Sequence, residues 1–557
     1  MVKALRLSGE LQTRLLIFLI AAVVLACYLP TLNNGFVWDD NANFIQNINY
    51  RGLSLSHLYW MFTTFNDANY HPLTWLSLGF DFVLWGMNPA GYHLTNILLH
   101  VVNTIFFYFL IMAFLGRTAA FQSAGLIAAQ VGAVFGTLFF AVHPLRVETV
   151  SWISTRGDLL CGGFYILTII AYLRMNDKKA ADGRGKWFLL SLFFFMGSLL
   201  SRAWGITMPF VLLILDIYPL RRFDFGNGSI VSCKRLLAEK TPYILLAFGA
   251  GVLAFWAKRG SMLMMTEHGI IDRFLQATYG LCFYVFKTMA PIRLSPFYLF
   301  GKDFNFLAPI YFLSAVSVFG ITLCLIVMRH RWPWVLTGWA CYAVVVSPLL
   351  GFVQSGPQIA ADRYTYIACM PYGILAGAGV YRLWIEWQGK KLFAAMTVIW
   401  VALLVLSVMS FRQTRIWYDN RTFLDHVLKL DPGNYIASYD RGLLREKQGD
   451  LVGALADYTN VIRLDPEHAK AYNNRGVIRD RQGDRAGALA DFKTAIRLAP
   501  FLPDAYANLG MIRLSQNDRQ RAVQDFSKAL EVASVKWPHR EQVEQQLNYL
   551  HRRLDPP

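Results

Sequence analysis

Long apolar stretches dominate this chain up to about residue 411 and are missing after it. Because a helix needs about 20 apolar residues to cross the core of a bilayer, each stretch is a candidate membrane span. The eleven candidate spans are 14–32, 92–115, 124–142, 150–173, 187–201, 203–218, 241–257, 309–328, 332–350, 364–385 and 391–410. The two spans beside Arg202 are short, and we expect them to form a hairpin that stops below the outer surface. The pattern predicts an all-α, polytopic membrane domain over residues 1–411.

The charge content also indicates a membrane protein. Charged residues make up 16% of the 557 residues, whereas soluble proteins contain about 25%. The net charge of +17 is explained by Lys and Arg on the inner loops of a multi-pass protein. These basic residues are too dilute, and too often interrupted by apolar runs, to form a nucleic-acid surface. A soluble enzyme and a disordered chain are therefore excluded, and no nucleic-acid partner is expected.

Basic residues indicate which loops face the cytosol. They cluster before the first span, between the fourth and fifth, between the sixth and seventh, and in two later short loops. All of these loops lie inside only if 272–290 does not cross, so we expect a re-entrant or interfacial helix there, within an outer loop 258–308. This gives eleven spans in an inner (cytoplasmic) membrane, with the C-terminal part in the periplasm, or in the endoplasmic reticulum lumen of a eukaryote. A twelfth span at 272–290 would place that part in the cytosol.

The C-terminal part repeats with a period of 34 residues. Four kinds of residue recur at this spacing: Pro432, Pro466 and Pro500; Gly442, Gly476 and Gly510; Ala454, Ala488 and Ala522; Asp457, Asp491 and Asp525. This period is typical of tetratricopeptide (TPR) helix pairs, which stack into an α-solenoid. We predict a linker over 412–433 and a TPR domain over 434–557, with three repeats and a capping helix near 538–553. Its concave groove would bind a partner protein; alternatively, the repeats only brace the membrane domain or a dimer.

Polar residues collect at membrane edges that this topology places outside. The first outer loop begins with Trp38-Asp39-Asp40, and two adjacent carboxylates can act as a general base or as metal ligands; the alternative is an Asx-type turn. The same loop contains His71 among aromatic residues. In the second span, His93, Asn96, His100 and Asn103 form a stripe that is typical of contacts between helices.

A second collection of polar residues joins the third and fourth spans. Glu148, Trp152 and Arg156 are spaced by four and share one helix face, which indicates a site for a charged ligand. A structural pairing, Glu148 with Arg156 or Arg146 with Asp158, is the alternative. The sequence Asp362-Arg363-Tyr364 precedes the tenth span, and Arg202 and Arg293 complete a set of outward cations. Arginine binds phosphate through forked hydrogen bonds, so these cations suit a phosphorylated ligand.

Several motifs together resemble one family. The runs WDDN, YHPLTWLS, GYHLTN, HPLRVE, SRAWGITMPFVLLILD and ADRYTY, followed by TPR repeats, are similar to those of the transmembrane-and-TPR (TMTC) family and its bacterial relatives. The resemblance covers nearly the whole chain. It implies the GT-C fold of polyprenol-dependent glycosyltransferases, with eleven spans. It also implies transfer of mannose, or a similar sugar, from a polyprenyl-phosphate carrier to Ser or Thr hydroxyls of proteins outside the membrane, by an inverting reaction.

The resemblance also assigns roles to residues. The family's acidic pair falls on Asp39 and Asp40, either of which would accept the proton of the attacking hydroxyl, and its second acidic position falls on Glu148. Where relatives often have Lys-Glu, this chain has Arg202-Ala203, so the cation is kept and the acid is absent. Candidates for binding the donor phosphate are Arg146, Arg156, Arg202, Arg293 and Arg363. Candidates for binding substrate are Trp38, His71, His143, Asp362 and Tyr364.

Three questions stay open at this point. A divalent metal, Mg or Mn, held by Asp39, Asp40 and Glu148 is one option for the chemistry, and a metal-free reaction is the other. The acceptor is either a protein bound in the TPR groove or a lipid-linked glycan or polysaccharide. A non-catalytic membrane scaffold that recruits partners through its TPR repeats is the alternative from another class, although buried charges speak against it.

Overall fold

The computed structural model describes residues 9–118, 120–177, 183–223, 230–259, 269–299, 308–351 and 358–554. The chain divides into two compact units, Met1–Asp419 and Asn420–Pro557, which we call the membrane unit and the repeat unit. Both units are helical, and the strands described are two short ones, β1 (Tyr298–Leu299) and β2 (Gln358–Ala360). They pair antiparallel, with Tyr298 opposite Ala360. The prediction of an all-helical chain is confirmed apart from this small ribbon.

The membrane unit contains sixteen described α-helices. They are α1 (Gly9–Tyr28), α2 (Leu55–Thr63), α3 (Pro72–Trp85), α4 (Pro89–Leu115), α5 (Ala120–Ala141), α6 (Val147–Ser151), α7 (Arg156–Met175), α8 (Arg184–Ser201), α9 (Met208–Ile217), α10 (Ile230–Lys258), α11 (Ile270–Met289), α12 (Pro309–Val327), α13 (Pro333–Val346), α14 (Thr365–Ala368), α15 (Met370–Glu386) and α16 (Gly389–Gln413). Each of the eleven apolar stretches contains a helix. Short 3-10 turns, including Pro144–Arg146, Ile153–Thr155 and Asp362–Tyr364, precede α6, α7 and α14.

Six of the described helical segments are long and apolar enough to cross a membrane, and a seventh is obtained if the bent pair Gly125–Ala141 and Pro144–Ser151 counts as one span. Two shorter apolar segments, Ala203–Ile217 and Pro333–Leu349, fall below that length. The membrane character of this unit is therefore supported, while the count of eleven stays a prediction. The segment 272–290 forms α11, and the proposal that it does not cross also stays a prediction.

Small and polar residues bring the helices of the membrane unit together. A Cβ added at Gly132 of α5 would lie 2.6 Å from the carbonyl oxygen of Gly377 in α15, so these helices pack with their backbones close. In α4, His100 bonds the Tyr366 hydroxyl at 2.9 Å and the Ala141 carbonyl at 3.0 Å. Asn103 donates to the Leu159 carbonyl at 2.7 Å. The polar stripe of the second span thus joins helices, as the sequence predicts.

The repeat unit is a stack of antiparallel helix pairs. Its helices are α17 (Asn420–Leu430), α18 (Tyr435–Lys447), α19 (Leu451–Leu464), α20 (Ala469–Arg481), α21 (Arg485–Leu498), α22 (Pro503–Ser515), α23 (Arg519–Val532) and α24 (Arg540–Leu554). Gly476 faces the ring of Phe492, where a Cβ would lie 2.8 Å from a ring carbon, so glycine is needed for the close crossing. The three repeats and the final helix agree with the predicted period. The segment 412–433, predicted as a linker, contains α17, because Phe423, Leu424, Val427 and Leu428 form a buried helix face.

Candidate functional site

The loop after α1 carries the two candidate catalytic acids. Asp40 is buried, and its Oδ1 accepts hydrogen bonds from the backbone N–H (3.0 Å) and the hydroxyl (2.6 Å) of Ser154. Its Oδ2 accepts a hydrogen bond from the N–H of Val37 at 3.0 Å. Burial raises the pKa of the Asp40 carboxyl to about 7, because the charged form loses its hydration. Asp39 is only partly buried. Asp40 therefore fixes the loop to Ser154. Asp39 is the more exposed of the two acids.

Three indole rings stack beside these acids. The ring of Trp38 lies 5.6 Å from that of Trp152, and Trp152 lies 5.5 Å from Trp417, with interplanar angles of 20° and 19°. Trp38 has a φ of 55°, in the left-handed region that non-glycine residues seldom adopt. The N–H of Gly35 donates to the carbonyl of Tyr418 at 2.9 Å. The start of the first outer loop is thus fixed to the end of the membrane unit.

Glu148 is paired with Arg363, although 215 residues separate them. The carboxylate of Glu148 in α6 accepts a hydrogen bond from the Arg363 guanidinium and another from its backbone N–H, the latter at 2.9 Å. The guanidinium also donates to Gln358 Oε1 at 3.2 Å and lies 5.3 Å above the ring of Trp152. The structure therefore brings Glu148 and Arg363 together and places them against the indole stack.

The residues beside Arg363 are arranged by the β-ribbon. The hydroxyl of Tyr298 donates to Asp362 Oδ1 at 3.0 Å. The pKa of the Asp362 carboxyl lies well above its ordinary value, first because of burial and then because of the negative charge of Glu148. The hydroxyl of Tyr364 accepts a hydrogen bond from Gln358 Nε2 at 2.9 Å. Burial and the charge of Glu148 thus favour the protonated form of Asp362.

Arg146 is a buried cation with unused donors. Its guanidinium lies 5.2 Å above the ring of Phe140 and 6.0 Å above that of Tyr366. Among the described residues, its Nε and Nη1 have no hydrogen-bond partner. Nearby, His143 donates from Nε2 to the Thr288 carbonyl at 3.0 Å and accepts at Nδ1 from the Leu145 N–H at 3.2 Å. Arg146 is therefore available to a ligand, whereas both ring nitrogens of His143 are in use.

Arg156 is held entirely within the protein. Its Nη2 lies 2.6 Å from Asp81 Oδ2 and donates to the Tyr92 carbonyl at 2.8 Å. Its Nη1 donates to the Ser77 hydroxyl at 2.9 Å, and its Nε donates to Asn96 Oδ1. The side chain has no exposed surface. The structure thus gives Arg156 a role in joining α3, α4 and α7.

Arg202 lies at the C-terminal end of α8, close to Asp158 in the first turn of α7. Its Nε lies 3.1 Å from Asp158 Oδ1, and its side chain is 17% exposed. The guanidinium lies 5.0 Å above the ring of Trp204. His71 is buried within reach of the Arg202 charge, and burial together with that charge lowers the pKa of His71 to about 3. Arg293 is exposed, with a φ of 50°.

Two of the three candidate metal ligands, Asp40 and Glu148, are bonded to protein groups in this arrangement. Both carboxylate oxygens of Asp40 accept hydrogen bonds from Ser154 or Val37, and Glu148 is bonded to Arg363. Over the part of the chain that the structure describes, no group of three or more His, Cys, Asp or Glu side chains is placed to hold an ion. The donors around these acids are N–H and O–H groups, which suit an anionic carboxylate.

The repeat unit has a groove of about 500 Å³ of its own. Polar side chains along it form a hydrogen-bonded row: Asn508 donates to Asn473 Oδ1 at 2.9 Å, Asn473 to Asn474 Oδ1 at 3.1 Å, and Asn474 to the Tyr439 hydroxyl at 3.1 Å. Met511 and Trp537 supply apolar surface. The groove therefore offers amide donors and acceptors together with apolar contacts.

The sequence did not predict the roles of three residues in this arrangement. Ser154 holds Asp40, Tyr298 holds Asp362, and Asp81 holds Arg156. No spacing signal marks Ser154 or Tyr298, since their partners lie far away in the chain. Asp81, an acid in an otherwise apolar helix, could have been found as a buried charge that needs a cation.

A family model supports the prediction of TPR repeats in the C-terminal part. A family model described as tetratricopeptide repeat matches residues 439–503 and 479–539. The first TPR domain of Spaghetti (RPAP3) bound to an HSP90 peptide is 22% identical, covering 22% of this chain and 95% of that one, with a TM-score of 0.20. A structure of MamA is 23% identical, covering 24% of this chain and 69% of that one, with a TM-score of 0.21.

The curated relatives are protein O-mannosyl-transferases. Human TMTC1 is 25% identical over 488 residues, which cover 79% of this chain and 54% of the relative. Human TMTC3 is 23% identical, with coverage of 75% and 48%, and human TMTC4 is 28% identical, with coverage of 37% and 29%. The chain thus spans about half the length of these relatives, or less. It is homologous to the TMTC proteins over much of its length, which confirms the resemblance of its motifs.

Proposed function

We propose that this TMTC homologue is an integral-membrane glycosyltransferase that transfers a sugar, mannose in the first instance, from a polyprenyl phosphate to Ser or Thr hydroxyls of proteins. Its relatives are named protein O-mannosyl-transferases, which supports transfer to proteins. The observation that carries the proposal is the gathering of acids and cations around the Trp38–Trp152 stack. Charges in a membrane protein are expensive to bury, so such a gathering indicates a functional site.

Asp39 is the general base in this proposal. Asp40 is held by Ser154 and Val37, and so it positions the loop. The acceptor oxygen attacks the anomeric carbon and forms the new C–O bond. Its proton passes to the Asp39 carboxylate, while the bond from the anomeric carbon to the phosphate oxygen breaks and its electron pair leaves with the polyprenyl phosphate. Attack opposite the leaving phosphate inverts the anomeric centre.

Arg146 is the first choice for binding the donor phosphate. It is buried, two of its donors have no hydrogen-bond partner in the described residues, and burial favours the neutral form of the neighbouring Asp362. Arg363 and Arg202 are each paired with an acid, Glu148 and Asp158. The donors of Arg156 are bonded to Asp81 and its neighbours. The charge of Arg146 is therefore the least compensated of these four, and it would stabilise the leaving phosphate.

The remaining assignments are proposals of the same kind. Because Asp40 and Glu148 are bonded to protein groups, the proposal assigns no step to a metal. The repeat unit would bind the acceptor protein and raise its effective concentration at the site. Eleven spans in an inner membrane, with the site and the repeat unit outside, agree with the basic loops.

The test is sugar transfer by the full chain in purified membranes, with a polyprenyl-phosphate mannose donor and a Ser/Thr-containing protein acceptor. We expect Asp39→Asn to lower the transfer rate about 100- to 10,000-fold, the range of a general base. Arg382→Gln, in an exposed pair with Glu386, is the control and keeps the wild-type rate. Full transfer by Asp39→Asn overturns the assignment of the base. Mass spectrometry of the product decides between a protein and a glycan acceptor.

A further inference from the structure

Two side chains beside the proposed reaction site have a feature that the transfer mechanism leaves unexplained. His71 and Asp158 are 7% and 0% exposed. Neither ring nitrogen of His71 and neither carboxylate oxygen of Asp158 has a hydrogen-bond partner among the described residues. A buried polar group without a hydrogen bond lowers stability, and the loss is larger when the group is charged. Two such residues in one place indicate a ligand that supplies the missing hydrogen bonds.

The fold brings these groups to one place. The Thr74 hydroxyl, three residues after His71, donates to the Ser201 carbonyl at 2.8 Å, which fixes the start of α3 to the end of α8. A Cβ on Gly157 would lie 2.9 Å from both the Thr74 hydroxyl and the Ser201 carbonyl oxygen. Next to Gly157, Asp158 lies 3.1 Å from Arg202 Nε, at an angle that makes an ion pair and no hydrogen bond. The starts of α3 and α7 and the end of α8 therefore meet at these side chains, and we call this place the pocket.

Aromatic rings form a wall of this pocket. The rings of Trp204 and Tyr364 lie 5.3 Å apart, and both residues are partly exposed. The Arg202 guanidinium lies 5.0 Å above Trp204, and that of Arg363 lies 5.1 Å above Tyr364. Tyr366 lies within electrostatic reach of both Asp158 and Arg146. Tyr366 thus links the pocket electrostatically to the cation to which we assign the phosphate.

The charge balance of the pocket selects the chemistry of its ligand. Asp158 and Arg202 cancel each other, and His71 is neutral, since its pKa is about 3. A neutral imidazole offers one donor and one acceptor, and a carboxylate accepts from several hydroxyls. A phosphate would be repelled by Asp158, and an apolar group would leave both residues unsatisfied. A hydroxyl both donates and accepts, so a neutral polyhydroxyl group fits the set, with its C–H face against the aromatic wall.

We propose that His71, Asp158 and Arg202 form a subsite that binds neighbouring hydroxyls of the transferred sugar and so determines which sugar is accepted. This inference rests on the proposed transferase function and adds Asp158 to its residues. Asp158 and His71 contact the hydroxyls, and Arg202 orients Asp158. The subsite recognises the sugar, while Arg146 binds the phosphate, so the two parts of the donor are bound by separate residues.

The experiment compares polyprenyl-phosphate mannose with analogues that each lack one hydroxyl, using the full chain. We expect wild type to lose about 10- to 100-fold in kcat/KM with at least one analogue, the value of a hydrogen bond to a charged group. With the intact donor, kcat/KM of Asp158→Asn or His71→Gln should be about 10- to 100-fold below that of wild type. With that analogue, kcat/KM of the variants should fall little further. Asp81→Asn and His100→Gln, which alter buried groups with partners, serve as matched controls and keep the wild-type order of analogues.

Two results overturn the proposal: equal use of all analogues by wild type, or wild-type discrimination in both Asp158→Asn and His71→Gln. The second variant covers a failure of the first to fold. Methyl mannoside and its deoxy analogues give a readout that needs no lipid carrier. If wild type transfers no sugar yet binds methyl mannoside more tightly than Asp158→Asn does, the transferase proposal fails and the subsite stands. If wild type transfers sugar but neither discriminates among the donor analogues nor binds methyl mannoside more tightly than Asp158→Asn does, only the subsite proposal fails.

Discussion

The two units use Arg–Asp pairs in different ways. In the repeat unit, one arrangement recurs at the 34-residue period: Arg441 and Arg445 bind Asp457, and Arg475 and Arg479 bind Asp491. In the membrane unit, the pairs Arg156–Asp81 and Arg202–Asp158 are each arranged differently, and their partners lie far apart in the chain. Some donors there are left without a partner among the described residues. Repetition indicates that a pair holds two helices together, whereas an incomplete and unique pair indicates a ligand.

A variation inside the repeat unit sharpens this contrast. In the third repeat, Leu509 stands where the first two have Arg441 and Arg475, so Asp525 is bound by Arg513 alone. Burial that a single cation does not offset raises the pKa of Asp525 to about 6. A missing cation therefore raises the pKa of an acid even where no ligand is involved. A site is indicated only where several such groups lie together.

The largest expected effect separates function from stability. Arg146→Met removes a buried cation whose charge is poorly compensated, so donor binding should fall about 100- to 1,000-fold. The melting temperature should stay level or rise, because burying an uncompensated cation costs free energy. Donor binding and thermal unfolding of the full chain measure the two changes. A large loss of stability with intact binding would place Arg146 among the structural pairs.

Asp40 gives the next effect, and it depends on pH. Its folded-state pKa of about 7 lies above the value of about 3.9 in an unfolded chain, so the folded state binds the proton more tightly. The stability of wild type relative to Asp40→Asn should therefore be greatest below about pH 4 and fall as the pH rises to 7. Between pH 5 and 7 the loss approaches about 2.5 kcal/mol, at 1.36 kcal/mol for each pKa unit. A gap that is constant over this range, in melting curves, would contradict the assignment.

Breaking a repeated pair should lower stability alone. Asp491→Asn leaves Arg475 and Arg479 without their acid and should cost about 2 kcal/mol, the value of hydrogen bonds to a charged group. Denaturant unfolding of the full chain measures the loss. Sugar transfer to a short Ser/Thr peptide should keep its wild-type rate at a temperature where the variant is folded. A lower rate with this acceptor would show that the pair does more than join helices.

The smallest effect comes from the incomplete repeat. Asp525→Asn should cost about 1 kcal/mol at pH 7, less than Asp491→Asn, because only one arginine loses its partner. The two variants are compared in the same unfolding experiment. If Asp525→Asn costs more than Asp491→Asn, the number of paired cations does not determine the strength of these contacts.

Prediction from sequence succeeded where the signal is periodic. The 34-residue period located the TPR helices, and the stripe with His100 and Asn103 was correctly assigned to helix contacts. Other motifs in the sequence indicated Asp40, Glu148, Arg156 and Arg363 as candidate site residues. The pairs of these residues could not be predicted, because spacing shows which residues share a helix face and does not show which helix lies opposite. Neither alternative pairing occurs: Glu148 binds Arg363, Arg156 binds Asp81, and Asp158 lies beside Arg202.

The stack of Trp38, Trp152 and Trp417 has a mechanical consequence. The chain continues toward the repeats from Tyr418, whose carbonyl holds Gly35, four residues before Asp39. Tension on the chain beyond residue 419 is therefore carried by this hydrogen bond and by the stacked rings. The loop with Asp39 and Asp40 therefore experiences the same tension. Since a displacement of about 1 Å at a reacting group can change a rate about 100-fold, pulling on the repeats should affect the position of Asp39, the base in our proposal.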